Sequence, residues 1–299
     1  MYSLAQSKRI RGDSGEPLPV VFEALEARGV RLLRGQLALV AAGPGTGKSA
    51  FVLSYLLQAK VPTLYFSADS DAFTQLTRSI SMLKGWPLEK SAHAVLDDDM
   101  EAVDASLADV PIRMVYDASP SLDRIQEVMT SWFEVYEDYP HVVVIDNVTN
   151  VRSGSAANDD DPFSGLESLM EYLHDMARNT QACVIGLHHV TGGYNDADKP
   201  IPLSGVKGQI TRVPELVLTL FKKFDAMYNI TKLCVSAVKN RAGKADPSGN
   251  TFAELEFIGD QMTIRDLPDD YKPDFGQVEI DDPWQESEDD DDEENDLWR

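Results

Sequence analysis

The 299-residue chain predicts an α/β fold with a mostly parallel central sheet flanked by helices and extended at one edge by C-terminal antiparallel strands. Three observations carry this. Buried-strand runs alternate with helical patterns between residues 36 and 189, as βαβ units do. A glycine-rich turn, "AGPGTGKS" at 42–49, lies where the first strand meets the first helix. After residue 214 the pattern is strand alone, which extends the sheet.

The elements follow in order. "QLALVAA" (36–42) is an apolar run bounded by glycine, and "GKSAFVLSYLLQA" (47–59) is helical. "PTLYFSA" (62–68) and "PIRMVYD" (111–117) read as strands, each followed by a helix, at 71–85 and 121–138. "HVVVIDNV" (141–148) and "ACVIGLHH" (182–189) are buried strands around the helical run 165–180. "ELVLTLFKK", "ITKLCVSAVKN", "TFAELEFIG" and "QMTIRDL" close the series. The expected divisions are a flexible arm at 1–20, one α/β domain at 21–268, and a disordered acidic tail at 269–299.

The formal net charge is -23, which argues against a general nucleic-acid sponge. The charge is uneven: Asp266 to Arg299 holds 16 acids and 2 bases. Any nucleic-acid contact therefore needs a local patch. Cys183 and Cys234 sit in apolar runs and read as small buried hydrophobes, not a disulfide framework. No apolar run spans a bilayer, and the first residues lack a signal-peptide apolar region. The expected location is cytoplasmic.

The turn fits a phosphate-binding loop of the form Gly-x4-Gly-Lys-Ser/Thr, with Ala42 in the first position. Gly43, Pro44, Gly45, Thr46 and Gly47 form the loop, and the glycines let backbone N–H groups converge on phosphate oxygens. Lys48 supplies charge to the β- and γ-phosphates of ATP. Ser49 supplies a hydroxyl to Mg²⁺, and the helix continuing through Ala50 presents its positive end. "HVVVID" ends at Asp146, where a second Mg²⁺ contact belongs. A strand-ending Asp alone is common; beside a phosphate loop it reads as metal-binding. A base for the attacking water is also needed, and Asp69 ends the second strand, with Asp71 as a backup.

"LYFSADSDAFTQLTR" resembles the corresponding segment of the DnaB-like replicative helicases, which belong to the RecA-fold ATPases. The resemblance covers about 30–265 and implies a RecA-like P-loop NTPase core. It implies a catalytic acid at Asp69, where the family has the longer Glu, and a role at the nucleotide for Arg78. "VIGLHHVTGG" is similar to plasmid helicases of the RepA type, and implies that His188 senses the γ-phosphate. A two-His metal site is the rival, but no third ligand follows at useful spacing. "GYNDADKPIPLSGVKGQITRVPELVLTL" resembles the segment lining the family's central channel, which implies single-stranded DNA contacts by Lys199, Lys207 and Arg212. The acidic loop "RSGSAANDDDPFSG" is less suited to DNA. "SAVKNRAGKADPSG" resembles a Lys-x-Arg hairpin that reaches a neighbour's ATP, which implies that Lys239 and Arg241 act in trans. The implied assembly is therefore a homo-oligomeric ring of six subunits. The resemblance lacks the primase-binding helical N-domain, which suits a phage or plasmid version acting in host cytoplasm.

The tail ends in "NDLWR", where Leu297 and Trp298 could dock a replication protein. Three functions compete: a helicase motor, a RecA-like recombinase or loader, and a partner-binding ATPase switch with no DNA contact.

Overall fold

The computed structural model describes residues 2–152, 165–208, 210–226, 230–268 and 271. Residues 1–267 form one compact unit. Of the remainder only Pro268 and Tyr271 are described. Most of the predicted acidic tail and the acidic loop at 153–164 lie outside the described residues.

The strands are β1 (Leu37–Ala42), β2 (Thr63–Ser67), β3 (Ile112–Val115), β4 (Val142–Asp146), β5 (Cys183–His189), β6 (Leu216–Asp225), β7 (Ile230–Asn240), β8 (Ala253–Ile258) and β9 (Thr263–Asp266). They form one nine-stranded sheet in the order β3-β2-β4-β5-β1-β6-β7-β8-β9. Pairs from β3 to β6 are parallel; β6 to β9 run antiparallel. The predicted fold class is thus the observed one. Strand β1 sits centrally, so the loop at its carboxyl end opens at a crossover point, where α/β sheets bind ligands.

Both faces of the parallel half are covered, which is why its strands are apolar without alternation. On one face α7 (Leu122–Tyr136) and α8 (Leu166–Thr180) bury Ile125, Met129, Leu169 and Leu173 against Leu37, Leu39 and Val143. On the other, α3 (Lys48–Ala59) buries Phe51, Tyr55 and Leu56 against Ala38, Val40 and Ile185. Each large side chain so enclosed contributes roughly 1.5–3 kcal/mol. Helix α3 ends where Lys60 adopts a left-handed conformation ahead of Pro62. Helix α4 (Ala72–Lys84) starts at Asp71, whose carboxylate accepts Thr74 N–H, and stops at Gly85 with φ 63°.

The structure adds helices the pattern did not signal: α1 (Leu4–Ile10), α2 (Glu23–Glu26), α5 (Leu88–Leu96) and α6 (Asp104–Ala108). Helix α1 is closed by a reciprocal Ser3–Gln6 capping box and buries none of its residues. Packing reaches back before residue 21: Leu18 is buried, and its N–H donates to Leu32 O. No helix among the described residues is long and apolar enough to cross a membrane.

Candidate active site

Strand β1 delivers the chain into a tight loop with Gly45 at φ 68° and Gly47 at φ 110°, conformations that favour glycine. Gly43 is required for a different reason: a Cβ there would collide with the Asn195 carbonyl. Thr46 Oγ1 donates to Gly43 O at 2.9 Å, folding the loop on itself. Lys48 Nζ donates to Ala42 O and Gly43 O, both at 3.3 Å. Burial pushes its pKa down, while the charges of Asp146 and Asp69 oppose that. Ala50 is buried in the first turn of α3.

Asp146 ends β4 and is almost fully buried. Its Oδ2 accepts the Tyr65 hydroxyl at 2.7 Å, and no hydrogen bond reaches Oδ1. Burial raises its pKa, Asp69 raises it further, and Tyr65, Ser49 and Lys48 counteract this. A buried carboxylate oxygen without a donor, beside a hydroxyl, fits a hard cation with oxygen ligands. Asp146 and Ser49 are therefore suited to Mg²⁺. Among the described residues no group of three or more His, Cys, Asp or Glu is placed to hold a metal ion.

A pocket of about 410 Å³ opens beside the loop. It brings Pro44, Gly45, Gly47, Lys48 and Ser49 together with Asp69, Arg78 and His189. Asp69 is exposed, and its N–H donates to Asp146 O at 3.2 Å. Arg78 Nη1 donates to Ser70 Oγ at 3.3 Å.

The structure separates the two histidines. His188 is fully buried, and its Nε2 lies 2.6 Å from Lys207 O. A carbonyl only accepts, so Nε2 carries the proton. His189 instead lines the pocket, half-buried. Strand alternation explains the exchange: His189 falls on the face of Ile185 and Leu187, which α3 covers.

Sequence reasoning also missed Lys222 and Phe257, which line the same pocket. Lys222 Nζ donates to Gly45 O at 3.0 Å and lies 4.6 Å from the Phe257 ring centre. Neither residue belongs to a motif. Lys222 owes its place to β6 pairing directly with β1, and Phe257 to β8 lying two strands beyond β6, adjacencies the sequence does not state.

Lys239 and Arg241 are not among the residues lining this pocket. Lys239 Nζ donates to Thr211 O and Arg212 O, both at 2.7 Å. Arg241 Nη2 donates to Arg212 O at 3.1 Å, and its Nη1 lies 3.8 Å from Glu215 Oε1. Both flank the start of β6, which pairs with the start of β1. The phosphate loop leaves the far end of β1, about 17 Å away at ~3.3 Å per residue. That is farther than an arginine side chain extends. Of the expected DNA contacts, Lys199, Lys207 and Arg212 are all exposed. Arg212 pairs with Glu167 at 3.0 Å, and Lys199 lies over the Tyr194 ring at 5.4 Å.

The model of the AAA domain matches residues 21–193, more than half of the chain. The chain belongs to the AAA domain family. The Gene 65 protein of Mycobacterium phage L5 is 61% identical over 268 residues, covering 89% of this chain and 99% of the relative. The Gene 65 protein of Mycobacterium phage D29 is 62% identical over 232 residues, covering 77% and 99%. Phage relatives agree with the phage version that the resemblance implied. Among solved structures, a DnaB-like replicative helicase described with its interactions with primase matches at a TM-score of 0.72. It has 18% identity and covers 90% of this chain and 68% of that one. A solved ATPase domain matches at 0.69, again at 18%, covering 89% and 96%. The fold is thus the RecA-like fold of helicase ATPase domains. As an AAA domain with this loop, the chain is a nucleotide-binding enzyme of the ATP-hydrolysing kind. The matched region stops before Lys199, Lys222, Lys239 and Arg241.

Proposed function

We propose that this AAA domain is a DNA-dependent motor: it hydrolyses ATP with Mg²⁺ between the subunits of a homo-oligomeric ring, and acts as a DnaB-like DNA helicase in replication or recombination. The observation that carries the reading is the separation of Lys239 and Arg241 from their own phosphate pocket. A pocket lined by Lys48, Asp69 and Arg78, with neither Lys239 nor Arg241 of its own chain within reach of the loop, is completed by a neighbour's arginine.

In this reading Lys48 and Arg78 hold the phosphates, Ser49 and Asp146 hold Mg²⁺, and Asp69 takes the proton of the attacking water. The metal supplies charge neutralisation on the phosphate oxygens. His189, facing the pocket, replaces His188 as the group near the transferred phosphate. Lys199 and Lys207 offer exposed charge to a phosphate backbone.

The partner-binding switch has one observation in its favour: Arg212, the third expected DNA contact, is already paired with Glu167. The test is steady-state ATP hydrolysis with and without single-stranded DNA, with Lys48→Ala as the blank. Many-fold stimulation supports the motor, and a forked duplex then separates unwinding from recombinase behaviour. Robust hydrolysis with no response to DNA or RNA sinks the motor and favours the switch.

A further inference from the structure

Lys222 is half-buried near the end of β6, and no carboxylate offsets the cost of burying its charge among the described residues. Among the described residues its side chain meets the carbonyl of Gly45 at 3.0 Å and the face of Phe257 at 4.6 Å. Its backbone makes a third contact. Lys222 N–H donates to Ala197 O at 2.7 Å. Three residues earlier on the same strand, buried Thr219 Oγ1 donates to Ile201 O at 2.8 Å. The segment 195–201 is thus pinned along the end of β6. It also touches the phosphate loop directly, because the Asn195 carbonyl packs where a Cβ of residue 43 would stand.

We propose that Lys222 is a positioning residue that clamps the phosphate loop to the 192–201 segment, so that nucleotide in the pocket and the conformation of that segment are linked. This rests on the nucleotide reading of the pocket and is independent of whether the segment touches DNA.

The physical link is one peptide group. A phosphate loop works by turning backbone N–H groups inward, which turns carbonyls outward. The Gly45 carbonyl faces the Lys222 ammonium, so the orientation of that peptide is fixed from outside by a charge-assisted hydrogen bond. Phosphate entering the loop and Lys222 hold the same peptide from opposite sides. Any shift of Lys222 is carried into 192–201 through its own N–H and Ala197 O. This route does not pass through His188, whose ring contacts the carbonyl of Lys207, outside the segment.

The experiment pairs direct binding of a fluorescent ADP, in Mg²⁺, with amide hydrogen exchange across residues 192–201. Wild type, Lys222→Met, Lys222→Gln and Lys222→Arg are compared without nucleic acid. In wild type, saturating ADP should slow exchange of the segment by about tenfold, the scale of one charge-assisted bond. Lys222→Met should bind ADP about tenfold more weakly and, once saturated, show no slowing. Lys222→Arg should restore most of it, which a purely structural role for the aliphatic stem does not predict. If the Met variant does not fold, Lys222→Gln, uncharged and shorter, is read the same way. Undiminished slowing in a saturated Met or Gln variant overturns the clamp, as does wild type that binds ADP with the segment unchanged. Wild type that binds no ADP fails in the binding arm, and then the nucleotide reading itself is wrong.

Discussion

Tyr65 donates its hydroxyl to Asp146 Oδ2 at 2.7 Å inside the sheet, leaving the buried Oδ1 of the same carboxylate without a donor. Burial raises the pKa of both groups, so the phenol stays protonated and serves as a fixed donor. Tyr65→Phe removes that donor and nothing else of size. The carboxylate then ionises less readily and holds a cation less well. Half-saturation of ATP hydrolysis by Mg²⁺ should move several-fold upward, at a stability cost of roughly 1–3 kcal/mol. An unchanged Mg²⁺ titration would remove Asp146 from the metal site.

Lys48→Ala should abolish hydrolysis. The side chain is buried against two carbonyls of its own loop, and two carboxylates stand near enough to favour its charge. No other loop side chain carries a positive charge. Turnover is measured by phosphate release, and wild-type turnover in this variant would dismiss the phosphate-loop assignment.

The two adjacent histidines should separate in function. His189→Ala should lower the turnover number tenfold or more by analogy with other groups acting at a transferred proton or phosphate, with little change in melting temperature. His188→Gln keeps a donor for Lys207 O and should preserve turnover. It should change the pH dependence of stability instead. Burial pushes the His188 pKa down to about 4 from 6.5. The unfolded chain therefore takes up this proton first as pH falls. The contribution is fully present above about 6.5 and is lost toward 4, up to roughly 3 kcal/mol. Urea unfolding at pH 7.5 and 4.5 should show a smaller acid loss in His188→Gln than in wild type. Equal losses would show that His188 does not titrate this way.

The histidine pair also shows what a sequence can carry. The strand ending in His188 and His189 was legible, because six consecutive apolar or small residues, 182–187, lead into it. Which histidine faces the loop depends on which side α3 covers, and that is a fact of topology. Lys222 and Phe257 were invisible for the same reason: their strands read as an edge extension, while the order in which they join β1 sets their place. Helices α5 and α6 were missed because 88–109 mixes short apolar stretches with an Asp97–Asp98–Asp99 cluster, which blurs the 3.6-residue period. Helix α1 had a readable cap in Ser3 and Gln6 but no apolar face to bury, so its polarity suggested an arm. The phosphate loop and Asp146 were readable because spacing alone defines the former, and an apolar run ending in an acid defines the latter.

Arg241 carries the last prediction. Its backbone N–H donates to Glu215 O at 2.9 Å, and its guanidinium lies beside the carboxylate of the same residue. Glu215 is itself anchored, with Oε2 accepting Leu37 N–H at 3.0 Å and Oε1 2.7 Å from His174 Nε2. The arginine is thus mounted on the rigid start of the central strand and half-exposed in its side chain, while its own pocket lies at the opposite strand end. Arg241→Ala should leave nucleotide binding near wild type and lower hydrolysis by 10³-fold or so, within the range for an arginine supplied in trans. Adding inactive Lys48→Ala chains, which retain Arg241, should partly rescue it, because a Lys48→Ala neighbour can lend its arginine to an intact pocket. The rescue should grow with the fraction of Lys48→Ala chains and then decline as intact pockets become rare. Flat activity across the whole mixing series at high protein concentration would count against a finger in trans. Full hydrolysis by Arg241→Ala alone would end that role outright, and the shared-site reading of the ring would lose the observation on which it stands.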